Sequence, residues 1–223
     1  MAEKFDEFME EVENDIRQEK YMKLWQQYGK QITAAITVAL IGIIGYNLWS
    51  QYDYRQRSKN SDIMIGAQDY MAMNRHGEAL SALKTLGDKA VAPYNVLSRL
   101  NEAAILSIGE AEQKQEAIKI YQDLIAMHGV DKAWQDVALY NKIALQSNMA
   151  DTNWDSLLTE LNVIDLETSP IAALIKELKA AILLQKGDKA QAGEIFVKLV
   201  QDKNAPSGVA MRSQLMAQII SSN

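Results

Sequence analysis

The stretch Ala180-Ala-Ile-Leu183-Leu-Gln-Lys-Gly187-Asp-Lys-Ala-Gln-Ala192-Gly-Glu-Ile-Phe196-Val-Lys-Leu199 decides the fold of this chain. The small residues Ala180 and Ala192 allow two helices to cross closely, and Gly187 between them suits a left-handed turn. The large apolar residues follow each alanine at helical spacing, so they lie on the same helix faces as the alanines. The stretch therefore predicts a pair of antiparallel helices.

The same offsets recur earlier in the chain, at Ala67, Tyr70, Asn74, Ala79, Leu83 and Leu86, with Asn in place of the turn glycine. Two less regular pairs are predicted between these units. The first joins Asn95–Ile108 to Gln115–Met127, with Ala117, Tyr121 and Leu124 at the expected offsets. The second joins Asp131–Gln146 to Thr152–Leu161, with Ala138, Trp154, Leu158 and Leu161 as its apolar positions. A last helix with Pro206 as its first residue is predicted to cap the array, with Val209, Leu215, Met216 and Ile219 facing inward.

This recurrence is similar to the tetratricopeptide pattern of a small residue, a turn glycine, an early alanine and an aromatic residue. The repeat-defining residues are Ala67, Tyr70, Ala79, Leu83, Ala117, Tyr121, Ala180, Gly187, Ala192 and Phe196. With only 3 prolines and 11 glycines in 223 residues, the composition also favours helices. We expect an all-α chain with a TPR-like α-solenoid over residues 61–223; an ordinary helical bundle is the alternative.

Residues 31–52 contain no charged side chain. The 18 residues from Ile32 to Trp49 would span about 27 Å as a helix, close to a bilayer core of about 30 Å. The sequence therefore predicts one N-terminal transmembrane helix over 31–52, followed by a linker at 53–60. A buried core helix is the alternative interpretation.

Both ends of this run carry side chains suited to a lipid interface. The predicted interfacial anchors are Trp25, Tyr28, Lys30, Trp49, Tyr52, Arg55 and Arg57. Small residues at helical spacing, Ala35, Ala39, Gly42 and Gly45, predict a close-packing face within the membrane. Four basic residues precede the run (Arg17, Lys20, Lys23 and Lys30) and three follow it (Arg55, Arg57 and Lys59), which favours a cytoplasmic N-terminus.

The segment 1–30 is acidic and amphipathic. Phe5, Phe8, Val12 and Ile16 share one helix face, which we interpret as a docking face for a partner. A solvated helix or a partly disordered tail is the alternative.

The sequence offers no candidate catalytic, cofactor-binding or metal-binding residues. The chain has no cysteine and two isolated histidines, His76 and His128, each at a predicted helix end or turn. It contains no phosphate-binding or nucleophile motif. The net charge of -6 argues against nucleic-acid binding. We therefore expect a non-enzymatic protein without a cofactor.

The order of parts resembles the YfgM-type family, an ancillary subunit of the bacterial Sec translocon. Three patches carry the resemblance: Trp25-Gln-Gln-Tyr-Gly29-Lys30 before the apolar run, Gly45-Tyr-Asn-Leu-Trp49 at its end, and Leu183-Leu-Gln-Lys-Gly187-Asp188-Lys189 in the last repeat turn. The resemblance is thin between residues 90 and 165, and the acidic N-terminal helix is longer than is typical of the family.

The resemblance implies a single-pass protein of the bacterial inner membrane, with a cytoplasmic N-terminus and a periplasmic C-terminal domain. It implies a scaffold beside the Sec channel that helps a periplasmic chaperone receive exported polypeptides. Its partners would be the lipid bilayer, the Sec channel, and a chaperone or exported chain, but no nucleic acid. An accessory or assembly subunit of another inner-membrane complex, such as a respiratory one, is the alternative.

Overall fold

The computed structural model describes residues 43–90, 92–150 and 152–222, and within these ranges the regular secondary structure is entirely helical. Residues 43–72 are helical and are called α1. The other helices are α2 His76–Lys89, α3 Tyr94–Ser107, α4 Ala111–Ala126, α5 Lys132–Gln146, α6 Trp154–Leu161, α7 Ala172–Lys186, α8 Lys189–Gln201 and α9 Ser207–Ser221. The chain divides into two units between Gln56 and Arg57, and each is described by itself.

The second unit is a stack of helix pairs. From α2 onward, each helix contacts the next one in sequence, and contacts also join α3 to α5, α5 to α7 and α7 to α9. This combination of neighbouring and alternate contacts is typical of helical pairs stacked into a solenoid. The all-α helical repeat fold predicted from the sequence is confirmed for the described residues.

Four apolar clusters form the core, and three consecutive helices share each of them. The clusters are Met64, Ala67, Ala79, Leu83, Leu86 and Ile105 (α1 to α3); Val96, Ala103, Leu106, Ala117, Tyr121, Leu124 and Ala138 (α3 to α5); Leu139, Ile143, Leu157, Leu161, Ile164, Ile175 and Ile182 (α5 to α7); and Ala180, Leu183, Ala192, Phe196, Leu199 and Val209 (α7 to α9). Because each pair buries its apolar face only against its neighbours, the stack is stable as a whole rather than pair by pair.

Local sequence sets where several helices begin. The side chains of Asp131, Asn153 and Asp188 accept hydrogen bonds from backbone N–H groups in the first turns of α5, α6 and α8. In α4, Glu110 and Gln113 form a reciprocal capping box. These bonds satisfy N–H groups that have no partner inside a helix.

Three turn residues of the described chain have a left-handed backbone: Gly129 between α4 and α5, with φ of +80°, and the two repeat-turn residues Gly187 and Asn74. Gly187 ends α7 with φ of +96°, and Asn74 occupies the corresponding turn between α1 and α2 with φ of +58°. Glycine adopts this region without a steric penalty, and asparagine tolerates it better than most residues. The interpretation of Asn74 as the substitute for the turn glycine is therefore correct.

The prediction of inner residues in α9 is wrong in part. Leu215 and Ile219 of α9 are 54% and 51% exposed, whereas Val209 and Met216 pack inward as expected. This is an error of phase, because the helix rotates about 100° per residue and adjacent apolar residues compete for the inner face. In α6, Leu157 and Leu161 are buried, and Trp154 and Leu158 are half-buried and pack against the same cluster. Pro206 precedes α9 rather than opening it.

In the first unit, the described residues 43–56 are helical and largely exposed. Residues 31–42 of the predicted transmembrane helix 31–52 lie outside the described residues. Within the described part of the chain, no helix is both long and apolar enough to cross a membrane.

Candidate functional site

A cavity of about 370 Å³ lies between α3 and α5, next to α4. It is called the α3–α5 groove and is lined by Ala104, Ser107, Lys114, Tyr121, Asn141, Ala144, Leu145, Asn148 and Met149. Ala104 and Ala144, on the two facing helices, are too small to fill the space between them. The volume falls within the range of about 300–1,000 Å³ that is usual for ligand sites.

Tyr121 is the most deeply buried side chain of the α3–α5 groove. Only 2% of its surface is exposed, yet its hydroxyl has no hydrogen-bond partner among the described residues. Burial raises the pKa of Tyr121 to about 12, so the phenol keeps its proton at neutral pH. The hydroxyl oxygen itself is not fully enclosed, and the groove that Tyr121 lines is the side from which a partner can approach.

Two asparagines lie on the α5 side of the groove, seven residues apart. Asn141 donates from Nδ2 to the Val137 carbonyl at 2.8 Å, and Asn148 donates from Nδ2 to the Ala144 carbonyl at 2.7 Å. These bonds fix the carboxamides and leave each Oδ1, and one N–H of each, available to a ligand. Asn141 lies on α5, whereas Asn148 lies in the turn just past the end of this helix at Gln146.

Lys114, at the start of α4, is the one charged side chain among the described residues that line the groove. Its ammonium group makes no ion pair within the described ranges, and none of the described lining residues is acidic. Ser107 is occupied, since its hydroxyl donates to the Ala104 carbonyl at 2.7 Å. The groove therefore presents one positive charge, a phenol donor and two asparagine carboxamides.

A second cavity, of about 290 Å³, lies between α4 and α6. Gln146 and Glu160 line it, and Oε1 of Gln146 is buried there without a hydrogen-bond partner. Glu160 is tied to Lys142 by an ion pair. Because its acid is already paired and the other described residues of its lining are uncharged, this cavity offers less for a ligand to recognise.

The repeat-defining residues lie mainly in the core. Eight of them, predicted to face the interior of the repeats, are buried: Ala67, Ala79, Leu83, Ala117, Tyr121, Ala180, Ala192 and Phe196. Tyr70 is half-buried, with the Arg75 guanidinium 4.7 Å from its ring centre. Tyr121 alone among these residues also lines the α3–α5 groove.

Most residues of the N-terminal predictions fall outside the described residues. This holds for the docking face Phe5, Phe8, Val12 and Ile16, for the packing residues Ala35, Ala39 and Gly42, and for the anchors Trp25, Tyr28 and Lys30. The described members are Gly45, Trp49, Tyr52, Arg55 and Arg57, all exposed on α1. Arg57 donates to the Ala92 carbonyl at 3.5 Å.

Side chains that could hold a metal ion do not gather anywhere in the described ranges. His76 opens α2 with Nδ1 buried and without a hydrogen-bond partner, and His128 follows the end of α4. The geometry thus places no acid–base pair or nucleophile in the α3–α5 groove, whose groups are suited to binding.

A family model described as a tetratricopeptide repeat-like domain matches residues 22–217. The chain belongs to this tetratricopeptide repeat-like family. Such domains generally mediate protein–protein interaction, and the fold is typically a non-catalytic scaffold. No curated protein and no solved structure matches the chain.

Sequence reasoning identified Tyr121 as a repeat residue but missed Lys114, Asn141 and Asn148 as groove residues. Each is a polar residue on or next to a helix, and such residues usually face solvent. The spacing of seven between the asparagines was the only available signal, and it gains meaning once α3 is placed opposite α5.

Proposed function

We propose that this tetratricopeptide repeat-like protein is a membrane-anchored scaffold for protein–protein interaction. The observation that carries the proposal is the exposed apolar surface at the start of α1. Its large side chains are Ile43, Ile44, Tyr46, Leu48, Trp49, Tyr52 and Tyr54, each more than half exposed. Water-soluble surfaces rarely carry so dense an apolar set.

The basic residues that follow this surface support anchoring in a bilayer. Arg55, Arg57 and Lys59 come directly after the aromatic residues, in the order expected of a helix leaving a membrane. In this proposal the uncharged run 31–52 spans the bacterial inner membrane, the N-terminus is cytoplasmic, and the repeat domain lies in the periplasm.

The proposed place of action is beside the Sec channel, where the scaffold helps a periplasmic chaperone receive exported polypeptides. The resemblance of the segments around Trp25, Trp49 and Gly187 to YfgM-type proteins supports this assignment, and the tetratricopeptide repeat-like fold suits it. In this proposal the N-terminal face of Phe5, Phe8, Val12 and Ile16 docks on a cytoplasmic partner.

Crosslinking of the full chain in membranes, followed by pulldown in gentle detergent, tests the partner. We expect Sec channel subunits to be recovered. Recovery of an unrelated stoichiometric complex, such as a respiratory one, without Sec subunits would contradict the translocon assignment and favour an accessory subunit of that complex. Replacing Phe5, Phe8, Val12 and Ile16 by serine should reduce recovery if the N-terminal face docks.

Reporter fusions after Asn223 test the topology. A reporter active only in the periplasm should be active, and one active only in the cytoplasm should be silent. Extraction with alkaline carbonate should leave the full chain in the membrane fraction, whereas a chain that lacks residues 1–56 should be released. The opposite reporter pattern would refute the orientation.

A further inference from the structure

We propose that the exposed face of α9 pairs two copies of this chain, with the two α9 helices antiparallel and Leu215 of each copy at the centre of the contact. The face is a row of three apolar side chains, Met211, Leu215 and Ile219, which are 63%, 54% and 51% exposed. Their spacing of four residues aligns them along one side of the helix. The pairing goes beyond the proposed scaffold function, which requires only one copy.

The opposite face of α9 is occupied by the core. Val209 and Ser213 are buried, and Met216 and Ile220 pack against the apolar cluster that α7, α8 and α9 share. At about 100° per residue, the centre of the apolar row lies about 140° around the helix from these inner residues. The row is therefore separate from the surface that holds α9 on its own chain.

The charge of α9 favours contact between identical surfaces. Arg212 is the only charged residue of the helix, and its guanidinium is bound to the Glu177 carboxylate. Because this pair is balanced, two α9 helices can meet without repulsion between like charges. The exposed residues Gln214 and Gln218 beside the row are uncharged. A second copy thus fits this helix better than an acidic or basic partner, which would find no unbalanced charge on it.

The row is also symmetric about its centre. Met211 and Ile219 lie about 6 Å before and after Leu215 along the helix axis. In an antiparallel pair centred on Leu215, Met211 of one copy faces Ile219 of the other. Gly208 of one copy likewise faces Ser222 of the other, so small residues at both ends permit close approach of the helices. Such a self-complementary arrangement is the isologous contact of a two-fold dimer.

The size of the contact predicts a weak dimer. The 15 residues of α9 extend over about 22 Å, and an antiparallel partner helix contacts roughly two residues per turn. This gives about eight residues per copy, fewer than the about 20–30 of a standard interface. Dimerisation therefore needs a high local concentration of the chain, which the proposed anchoring in a membrane supplies.

Disulfide trapping tests the pairing, because the chain has no cysteine of its own. The full chain with Leu215→Cys is oxidised in detergent micelles that are in excess over the protein. Facing Cα atoms of two packed helices lie within the range of about 4.4–6.8 Å that a disulfide spans. The control is Val163→Cys, since Val163 is 71% exposed in the α6–α7 connection.

We expect a covalent dimer to form about tenfold faster with Leu215→Cys than with Val163→Cys, since paired helices hold the two thiols together. Equal rates of dimer formation would overturn the proposal.

Two further variants test the antiparallel arrangement. With Met211→Cys alone, the two thiols of the proposed dimer lie about 12 Å apart along the axis, too far for a disulfide. An equimolar mixture of Met211→Cys and Ile219→Cys chains should form the mixed disulfide, since these positions face each other. A Met211→Cys homodimer that forms as efficiently as the mixed dimer would indicate a parallel contact and overturn the proposal.

A charge at the centre of the row provides an independent test. Leu215→Glu brings two carboxylates together and removes apolar contact, so the yield of the mixed disulfide should fall more than about tenfold. Gln214→Glu is the matched control, because Gln214 is exposed and lies outside the row. Both positions are exposed, so neither change should lower the thermal unfolding midpoint; if Leu215→Glu lowers it, Leu215→Ser takes its place. Equal yields in the two variants would overturn the proposal.

The outcome remains distinct from that of the proposed function. Trapping of another protein at position 215 in native membranes, without a dimer of the chain, would overturn the pairing and leave the scaffold function in place. Pairing in micelles, together with failure to recover Sec subunits from membranes, would support the dimer and reject the translocon assignment.

Discussion

The Arg212 guanidinium donates two hydrogen bonds, from Nε and Nη2, to the two carboxylate oxygens of Glu177, each at 2.7 Å. This contact joins α9 to α7 across the α7–α9 interface. The hydrogen bond to Glu177 raises the pKa of Arg212, so the guanidinium group keeps its positive charge. Arg212 is also the only charged residue of α9. The orientation of the last helix therefore combines apolar packing with one directional polar contact.

We expect Arg212→Lys to lower the free energy of unfolding by about 0.5–1 kcal/mol, because lysine cannot form the paired hydrogen bonds. Urea denaturation of Arg212→Lys, of Glu177→Gln and of the double variant gives the coupling energy between the two side chains. A coupling energy indistinguishable from zero would show that the contact does not contribute to stability.

The ion pair between Lys142 and Glu160 predicts an asymmetry between its two partners. The Lys142 side chain is 9% exposed and that of Glu160 is 36% exposed. Glu160→Ala leaves a buried ammonium group without its partner, so we expect a loss of about 2 kcal/mol. Lys142→Met replaces the buried charge by an apolar side chain of similar length and should cost less than about 1 kcal/mol.

Urea denaturation of both variants checks this order. Glu194→Ala is the matched control, since Glu194 is an exposed helical glutamate of α8. Its loss of stability should be within about 0.5 kcal/mol. A larger loss for Lys142→Met than for Glu160→Ala would contradict the interpretation that burial of the lysine charge dominates.

The helix pairs that follow the repeat offsets closely could be predicted from the sequence. Ala180, Gly187 and Phe196 lie where the pattern requires, because each position has a narrow steric requirement: a close helix crossing, a left-handed turn and a large filler. The α5–α6 pair was harder, since α6 carries the adjacent apolar residues Leu157 and Leu158. Leu157 is buried, and Leu158 is half-buried against the same core.

The candidate site could be predicted only in part. Tyr121 was found because its ring fills a repeat position, but its unpaired hydroxyl depends on which side chains α3 and α5 bring near it. Lys114 and Asn141 carry no periodic signal, since polar residues tolerate many positions on a helix surface. Their convergence on one groove is a property of tertiary packing.

The turn at Gly187 predicts a substitution effect that comes from the backbone alone. With φ of +96° and no atom within 4 Å of an added Cβ, Gly187→Ala introduces strain without a clash. We expect a loss of about 1–2 kcal/mol, and a smaller loss for Gly187→Asn.

Gly77→Ala is the matched control for this turn. Gly77 lies in the first turn of α2 and also has open space around an added Cβ. Because alanine favours a helix, this change should stabilise the chain by a few tenths of a kcal/mol up to about 1 kcal/mol. Thermal or urea unfolding compares the two, and equal effects would exclude the left-handed conformation as the cause.

Glu102 of α3 predicts a dependence of stability on pH. The residue is 8% exposed, and its carboxylate lies 3.7 Å from the Lys84 ammonium. Burial raises the pKa of Glu102 above its usual value, and the attraction of Lys84 offsets this only in part. The folded protein therefore binds the proton more tightly than the unfolded chain does. The resulting stabilisation is present below the unfolded pKa of about 4.3 and is lost as pH rises through the folded pKa.

Glu102→Gln should remove this dependence, because the amide has no charge to desolvate. We expect the urea midpoint of the variant, relative to the wild type, to increase as pH rises from about 4 to about 7. Glu116→Gln is the control: Glu116 also contacts Lys84, at 3.3 Å, but is exposed. If Glu102→Gln instead lost stability relative to the wild type on going to neutral pH, attraction to Lys84 would outweigh desolvation, and the carboxylate would stabilise the α2–α3 interface in its charged form.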